Sequence, residues 1–318
     1  MPSNSKTCCT PRRHGAGLVT GITESSAKGG SSLDMLRLEG GPFLMGTEHR
    51  DAFPQDGEGP VREVTVDSFF IDRCPVTNHQ FAEFTMKTGY MTEAERYGWS
   101  FVFQGHIAPE NYRKLVEDTV AAAPWWCKVG RADWRHPEGP DSIIKGRENY
   151  PVVHVSWNDA IAFANWSNKR LPTEAEWEHA ARGGLEQKLY PWGDELTPNG
   201  QHLCNIWQGN FPVLDTAEDG YSAPAPVDSF PPNGFGIYTI TGNVWEWCAD
   251  WFSATFHLHS TRVNPVGPER GEEKIIKGGS YLCHSSYCNR YRVSARTANT
   301  PDSSTGNMGF RCVREARG

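Results

Sequence analysis

The residues with the clearest chemical potential lie in residues 277–296, which read KGGSYLCHSSYCNRYRVSAR. Cys283 and Cys288 form a C-x4-C arrangement there, and polar side chains surround them, among them Ser280, His284 and Tyr287. Two thiols that come together can form a disulfide, a metal site or a redox pair. The spacing alone does not choose among these, and it also fits two unrelated thiols in a strand and a loop.

Composition narrows the class of protein. The chain has 318 residues, of which 38% are hydrophobic, with 32 Gly, 22 Pro and 12 Trp. These values indicate a loop-rich globular protein with an aromatic core. A net charge of −7 without a basic block argues against a nucleic-acid partner. No apolar run reaches the length of about 18 residues that a membrane span requires, so no membrane association is expected.

Cysteine use and the N-terminus predict a compartment. The nine cysteines are odd in number and scattered, which favours a reducing cytosol over a disulfide framework. The N-terminal residues contain no apolar segment behind their positive charges, so no secretory signal is expected. We therefore predict a cytoplasmic protein. Residues 1–34 are polar, rich in Ser and Gly, and are predicted to form a flexible N-terminal arm.

Local patterns predict the elements that must position the thiols. Two short strands are expected around Gly40 and Gly41, and further strands over 61–66 and 69–71. Helices are expected to start at Thr77, Ser156 and Thr173, where capping residues precede apolar stripes.

Two further expectations concern the long middle region and the fold class. Residues 98–150 are expected to be irregular, either shaping a binding surface or forming an insertion without function. Helices between β segments without βαβ alternation indicate an α+β fold.

Seven motifs together point to one family. They are GGPFLMG (40–46), PVTN (75–78), PVVHVSW (151–157), KRLPTEAEWE (169–178), GNVWEW (242–247), KGGS (277–280) and GFRC (309–312). In combination they resemble the formylglycine-generating enzyme (sulfatase-modifying factor) superfamily over about residues 35–314. The resemblance implies the loop-rich fold of that superfamily, related to the C-type lectin fold, as a single domain over 35–318. Residues 280–292 are similar to the active-site segment of its catalytic members, both cysteines included.

The resemblance implies an activity. Catalytic members convert the cysteine of a C-x-P-x-R motif in an unfolded sulfatase polypeptide to Cα-formylglycine, using O2 and a thiol reductant. Oxidising a cysteine Cβ requires a metal or organic cofactor, because no side chain abstracts hydrogen from carbon alone. Thiolates are soft ligands that select Cu(I), so Cys283 and Cys288 are predicted to hold Cu(I). The expected protein is a copper-dependent oxidase, acting as a monomer.

Further residues receive roles in this interpretation. Ser280 is expected to orient O2 or the substrate sulfur, and His284 and Tyr287 to donate hydrogen bonds around the metal ligands. The predicted substrate contacts and pocket wall are Asp141, Ser142, Asn307 and Trp245. Several of these assignments have alternatives. Trp245 can be a core residue, His284 can be a hydrogen-bonded bystander, and Asp141 can be a solvated loop carboxylate. The two cysteines can instead form a regulatory disulfide.

Structural Ca2+ is also implied by the resemblance. One ligand set comprises Asn205, the Ile206 carbonyl, Asp219 and the Tyr221 carbonyl. A second comprises the Gly242 and Val244 carbonyls and Glu246. Mixed side-chain and backbone oxygens suit Ca2+. Thr239 replaces the Asn or Asp that the family usually presents, which weakens the second site.

The arm contains an unexpected match. Residues 9–13 read C-T-P-R-R, which satisfies C-x-P-x-R. The arm can enter an active site as substrate or pseudosubstrate, or the match arises by chance, since three fixed letters are a weak pattern.

Two other functions compete. One is a non-catalytic peptide-binding module of the same fold, although a paralogue that had lost catalysis would be expected to lack one or both cysteines. The other is a zinc or thiol-redox protein using Cys283, Cys288 and His284, for which no fourth zinc ligand is evident nearby in sequence.

Overall fold

The computed structural model describes residues 10–13 and 34–316. Most of the predicted arm therefore lies outside the described residues, whereas residues 10–13 pack against the body. The strands are β1 Met35–Leu38, β2 Gly41–Met45, β3 Arg62–Val66, β4 Phe69–Asp72, β5 Trp99–Phe103, β6 Val116–Val120, β7 Ala123–Gly130, β8 Gly209–Asn210, β9 Leu214–Asp215, β10 Trp245–Trp251, β11 Lys274–Lys277, β12 Arg296–Asn299, β13 Met308–Gly309 and β14 Val313–Glu315. The α-helices are α1 Asn78–Thr88, α2 Glu93–Tyr97, α3 Pro109–Leu115, α4 Trp157–Trp166 and α5 Glu174–Arg182.

The strands form small sheets rather than one large layer. The sheet that matters most for the site has the order β12-β11-β10-β13, in which β10 pairs antiparallel with β11 and parallel with β13. The other sheets are β1-β4-β14, β5-β7-β6, and the hairpins β2-β3 and β8-β9. Short strands, few helices and long connections confirm the α+β expectation.

Helix starts follow the predicted capping signals. Thr77, Ser156 and Thr173 are N-caps whose side chains accept from the backbone N–H three residues on, and each helix carries a full capping box. The helix after Thr77 ends at Gly89, which has a left-handed φ of 66°. These ends were predictable because a cap depends on residues close in sequence.

The expectation of an irregular region over residues 98–150 is wrong for its first part. Residues 99–130 form the sheet β5-β7-β6 and the helix α3. β7 reads APWWCKVG, and its pairing with strands on both sides overrides the loop-like Pro-Trp-Trp sequence. Residues 131–150 contain turns and isolated bridges, as expected.

The thiol segment lies within the larger apolar core. Cys283 and Cys288 belong to a cluster of buried residues that also contains Trp245, Tyr291 and Met308. The predicted aromatic character holds, since Trp126, Trp134, Trp177, Trp245 and Trp247 are among the largest fully buried side chains. Among the helices of residues 34–316, none is long and apolar enough to cross a membrane.

Candidate active site

The two thiols are brought together by a tight turn between β11 and β12. Cys283 Sγ lies 2.8 Å from Cys288 Sγ, and no disulfide joins them in the structure. The turn closes through the His284 carbonyl, which accepts from the backbone N–H groups of Tyr287 and Cys288 at 3.0 and 2.8 Å. The side chains are almost fully buried, with 2% and 0% of the residue surface exposed. The C-x4-C spacing thus produces an adjacent thiol pair in an apolar setting.

The double glycine before the turn is a backbone requirement. Gly278 and Gly279 have φ of +91° and +74°, a conformation that other residues rarely adopt. A Cβ on Gly278 would lie 2.8 Å from the Ile240 carbonyl oxygen, and one on Gly279 would lie 3.0 Å from Tyr291 Cα. The chain therefore leaves β11 sharply and presses directly against the segment that follows the cysteines.

A short polar relay reaches the first thiol. Asn307 Nδ2 donates to Ser280 Oγ at 3.0 Å, and Thr305 Oγ1 donates to Asn307 Oδ1 at 2.6 Å, which fixes the orientation of the amide. Ser280 Oγ also accepts from Leu282 N at 3.3 Å and lies 4.0 Å from Cys283 Sγ. With its acceptor capacity used, the Ser280 hydroxyl has its proton left to direct at the sulfur. The structure thus joins Ser280 and Asn307 to the thiol pair.

Aromatic residues enclose the pair on its buried side. Trp245 is fully buried, and its Nε1 has no hydrogen-bond partner within the described residues. Burial, reinforced by the Tyr190 phenol, raises the pKa of Tyr291 well above its usual range, so this phenol stays neutral. The enclosure excludes water from the thiols. Electrostatic interactions are stronger in such an apolar setting, and thiol sulfurs are ligands that soft metal ions prefer.

His284 and Tyr287 lie at the rim of the pair. His284 Nδ1 is 2.7 Å from Ser286 Oγ, and the ring is half-buried. The Tyr287 hydroxyl accepts from Trp125 Nε1 at 3.2 Å, and its ring stacks on Phe211 at 4.1 Å. These contacts orient both side chains toward their neighbours in the rim, and the expected role of each at the thiols stays a prediction.

Two buried ion pairs, not foreseen from the sequence, hold the thiol turn in place. Arg290 donates to Asp56 at 2.7 Å, and Arg292 donates to both oxygens of Glu58 at 2.6 and 2.8 Å. All four side chains are at most 3% exposed. Just before the turn, Lys277 pairs with the buried Glu178 at 3.0 Å. Opposite charges in each pair offset the high cost of burying the arginines.

The predicted substrate residues Asp141 and Ser142 have local hydrogen-bond and ion-pair partners, and their role in substrate binding stays a prediction. Asp141 is exposed and pairs with Lys114 at 3.1 Å. The Ser142 hydroxyl donates to the Gly139 carbonyl at 2.7 Å and accepts from Glu138 N at 3.0 Å, which shapes a turn. The structure therefore gives both residues local partners in the long 131–150 loop.

The first calcium ligand set converges. Asp219 accepts from the backbone N–H groups of Ile206 and Tyr221, each at 2.9 Å. The Oδ1 atom of the neighbouring Asn205 is buried without a partner in the described part of the chain. Burial raises the pKa of Asp219, a condition that a nearby cation would relieve. Gln208 Nε2 also donates to Asp219 and to the Ile206 carbonyl, so of these oxygens Asn205 Oδ1 is the one without a partner among the described residues, and it is an oxygen ligand of the type that Ca2+ takes.

The second calcium ligand set does not fit. Both Glu246 oxygens accept from Arg311 at 2.7 Å, and Oε2 also accepts from Trp177 Nε1 at 2.7 Å. The pair with Arg311 is fully buried, so the carboxylate is already neutralised. The Gly242 and Val244 carbonyls therefore lack the anionic partner that the predicted site requires.

The two thiols offer only two sulfur ligands to a metal ion. Within residues 10–13 and 34–316, no group of three or more His, Cys, Asp or Glu side chains is placed to hold a metal ion. That finding disfavours the zinc interpretation, which needs such a group. Two adjacent buried thiols match the smaller, softer coordination of Cu(I).

Comparison with known proteins decides the family. Residues 21–316 match the family described as "Sulfatase-modifying factor enzyme 1-like domain". The chain belongs to this family. A formylglycine-generating enzyme from Thermomonospora curvata is 61% identical over 284 residues, covering 88% of this chain and 93% of the relative. One from Mus musculus is 52% identical and covers 97% of this chain and 85% of the relative.

Two further similar proteins carry other names. A Bos taurus protein named inactive C-alpha-formylglycine-generating enzyme 2 is 46% identical and covers 90% of each chain. The solved structure of PvdO from Pseudomonas aeruginosa aligns with a TM-score of 0.63 at 26% identity, over 88% of this chain and 94% of that one. The fold is thus shared by proteins of different description, so residues at the site must decide function.

Proposed function

We propose that this protein oxidises the cysteine of a C-x-P-x-R motif in unfolded sulfatases to Cα-formylglycine. The observation that carries the proposal is the buried pair of thiols 2.8 Å apart, beside the Ser280–Asn307 relay. Relatives at 61% and 52% identity that are named formylglycine-generating enzymes support it.

The reaction balances with a thiol reductant. The thiol-bearing carbon of the substrate cysteine loses two electrons and becomes an aldehyde, and its sulfur leaves as hydrogen sulfide. Two molecules of a small thiol give two more electrons as they form a disulfide. One O2 accepts all four electrons, giving the aldehyde oxygen and one water.

Copper supplies the one-electron and O2 chemistry that no side chain provides, and Cys283 and Cys288 would hold it as Cu(I). The chain's own residues perform the remaining tasks. Ser280 directs its hydroxyl proton at Cys283 Sγ, and Asn307 holds that hydroxyl in place. Trp245 and Tyr291 exclude water, which protects reactive species from side reactions.

Calcium at Asn205 and Asp219 is proposed as a structural ion. We further propose that the protein works in the cytoplasm as a monomer. The compartment is proposed because none of the described cysteines forms a disulfide, as is usual for proteins of a reducing compartment.

The test is an assay on a peptide containing LCTPSR with Cu(I), O2 and a thiol reductant, followed by mass spectrometry. Loss of sulfur with gain of an aldehyde is expected, and only when copper is present. Cys283→Ala should abolish conversion and Cu(I) binding. Cys74→Ala, which removes a half-buried thiol outside the site, should leave both unchanged.

A peptide-binding module without catalysis is the competing function, favoured by the inactive relative at 46% identity. Binding of the LCTPSR peptide without conversion, with copper shown to be bound, would establish that alternative.

A further inference from the structure

Three aromatic rings lie in series between the thiol pair and the protein surface. The first is Tyr291, which is 2% exposed and belongs to the same buried cluster as Cys283 and Cys288. Burial is the main cause of its raised pKa, and the nearby Tyr190 phenol and the two thiols add to it. Both sulfurs therefore lie within electrostatic reach of the first ring.

The second and third rings continue outward from the first. Tyr190 stacks on Tyr291, with ring centroids 6.1 Å apart and planes inclined by 18°. Trp192 stacks on Tyr190 in turn, at 5.5 Å and 14°. Tyr190 is 8% exposed, whereas Trp192 is partly exposed. These three residues, called the ring series below, thus connect the surroundings of the buried thiols with solvent.

The backbone fixes the spacing of the ring series. Tyr190 and Gly193 exchange two backbone hydrogen bonds, at 2.9 and 3.2 Å, which close a tight turn around Trp192. The Leu189 carbonyl accepts from the Val293 N–H at 2.9 Å, which ties this turn to the chain that follows the first ring. Main-chain contacts therefore hold the rings in place, and no rearrangement is needed for one ring to act on the next.

Stacked phenol and indole rings can pass single electrons. Tyrosine and tryptophan have the side-chain rings that give up one electron most readily, and rings in contact exchange electrons by tunnelling. The proposed reaction needs such a supply, because two of its electrons come from small thiols in solution. Cys283 and Cys288 are only 2% and 0% exposed, and a bound substrate would cover them further. A route that avoids the substrate would therefore serve the reductant.

We propose that the ring series carries electrons from small thiols at the surface to the thiol pair. The proposal rests on the proposed function, which sets the demand for these two electrons. O2, the terminal oxidant of that reaction, draws one electron at a time from Tyr291. Tyr190 and then Trp192 replace the lost electron, so the two phenols end unchanged.

The small thiols close the balance at the outer end of the series. One thiolate gives an electron to the oxidised indole of Trp192 and becomes a thiyl radical. The radical bonds to a second thiolate, and the species that results gives up the second electron as the disulfide forms. The two protons that these thiols lose equal the two that are taken up where O2 is reduced.

The experiment runs the path in reverse on the full, metal-free chain. A ruthenium tris-bipyridine complex, excited by visible light with a cobalt(III) ammine as electron acceptor, oxidises exposed aromatic rings. The complex is too large to reach thiols that are 2% and 0% exposed. Loss of two electrons and two protons from Cys283 and Cys288 joins their sulfurs as a disulfide, which peptide mass spectrometry detects. We expect this disulfide to accumulate in light and to be absent from dark samples.

Isosteric variants test the path. Tyr190→Phe interrupts the ring series without changing its shape, because phenylalanine stacks in the same place but gives up an electron far less readily. Most of the light-driven disulfide should be lost while the melting temperature stays the same. Trp192→Phe, which removes the outermost indole, should have the same effect on the yield. The matched control is Tyr238→Phe, which removes the phenol of a partly exposed tyrosine outside the series and should leave the yield unchanged.

The rival route lies at the rim of the thiol site. There Tyr287 accepts from Trp125 Nε1 at 3.2 Å, and the two rings meet edge to face with centroids 5.1 Å apart. Loss of the disulfide in Tyr287→Phe, with full yield in Tyr190→Phe, would assign the path to the rim and overturn the proposal. Equal yields in wild type and Tyr190→Phe overturn it as well, and so does oxidation of Trp192 in wild type without any disulfide.

Kinetics on the copper-loaded protein test whether the path feeds the reaction. Tyr190→Phe should raise the thiol concentration that gives half the maximal rate and leave KM for the LCTPSR peptide unchanged. The same thiol dependence in wild type and Tyr190→Phe overturns the role in turnover. If the disulfide experiment succeeds but the copper-loaded wild type does not convert the peptide, the proposed function fails, and the role of the path in that reaction fails with it, whereas the path itself stands.

Discussion

The ion pair between Glu58 and Arg292 allows a sharp test of what holds the thiol turn. Glu58→Gln keeps the size of the side chain and one acceptor oxygen but removes the charge. Arg292 is 1% exposed and makes two charge-assisted bonds to Glu58, at 2.6 and 2.8 Å. Water cannot replace the lost partner at such a depth.

The expected cost follows from these contacts. A lost hydrogen bond to a charged group costs about 1.5–3 kcal/mol. Removing one member of a buried pair, which leaves the other charge uncompensated, costs about 3–5 kcal/mol. Because glutamine retains one acceptor, we expect about 3 kcal/mol for Glu58→Gln. For a chain of 318 residues, that value corresponds to a fall in melting temperature of about 4–5 °C.

Differential scanning calorimetry and denaturant melts measure this change. The control is Glu83→Gln, the same substitution in an exposed pair with Lys87 at 2.5 Å. An exposed i,i+4 pair contributes about 0.3–0.5 kcal/mol, so the control should melt within about 1–2 °C of wild type. Equal melting temperatures for the two variants would refute the reasoning. Adding Arg292→Met to Glu58→Gln should restore part of the stability, because no buried charge then remains unpaired.

Three other predictions follow from the site and its surroundings. Asn307→Asp replaces the amide that donates to Ser280 by an acceptor, so kcat for the LCTPSR peptide should fall at least about tenfold, and the melting temperature should fall as well because the new carboxylate lies in a fully buried position. Burial, followed by the charge of Glu93, raises the pKa of Asp159 to about 7. The folded state then holds a proton that the unfolded chain releases near pH 4, so stability should fall as pH rises from about 4 to 7. Asp159→Asn should flatten this slope in urea melts at several pH values. Gly279→Ala adds a Cβ 3.0 Å from backbone at φ +74°, whereas Gly89→Ala meets open space at φ +66°. Thermal melts should therefore show a loss of about 1–3 kcal/mol more for the first glycine than for the second.

Features encoded locally were predictable from the sequence. The capping boxes that start at Thr77 and Thr173 depend on residues within one helical turn. The closeness of Cys283 and Cys288 follows from a five-residue separation that one turn can close. Asn307 was predicted as a pocket residue from the family resemblance alone, and its hydrogen bond to Ser280, 27 positions away, was not predicted because local patterns do not reach that far.

Features that depend on distant partners were missed. β7 becomes a central strand because β5 and β6 pair with it, although its Pro-Trp-Trp sequence is typical of a loop. The pairing of Glu58 with Arg292 joins positions that no local pattern relates. Docking of Arg13 depends on ring faces and hydroxyls supplied by Trp99 and Ser304, which lie far apart in the chain.

The buried pairs that hold the thiol turn also bear on how the protein folds. Asp56–Arg290 and Glu58–Arg292 each join residues 234 positions apart. Closing so much intervening chain costs entropy before such contacts can stabilise anything, which slows folding. One local turn can bring the two thiols together, whereas the long-range ion pairs are needed to bury that turn. A chain that has not yet formed the ion pairs would expose its thiol turn to solvent and to oxidants, so the folding yield would set how much of the protein can act.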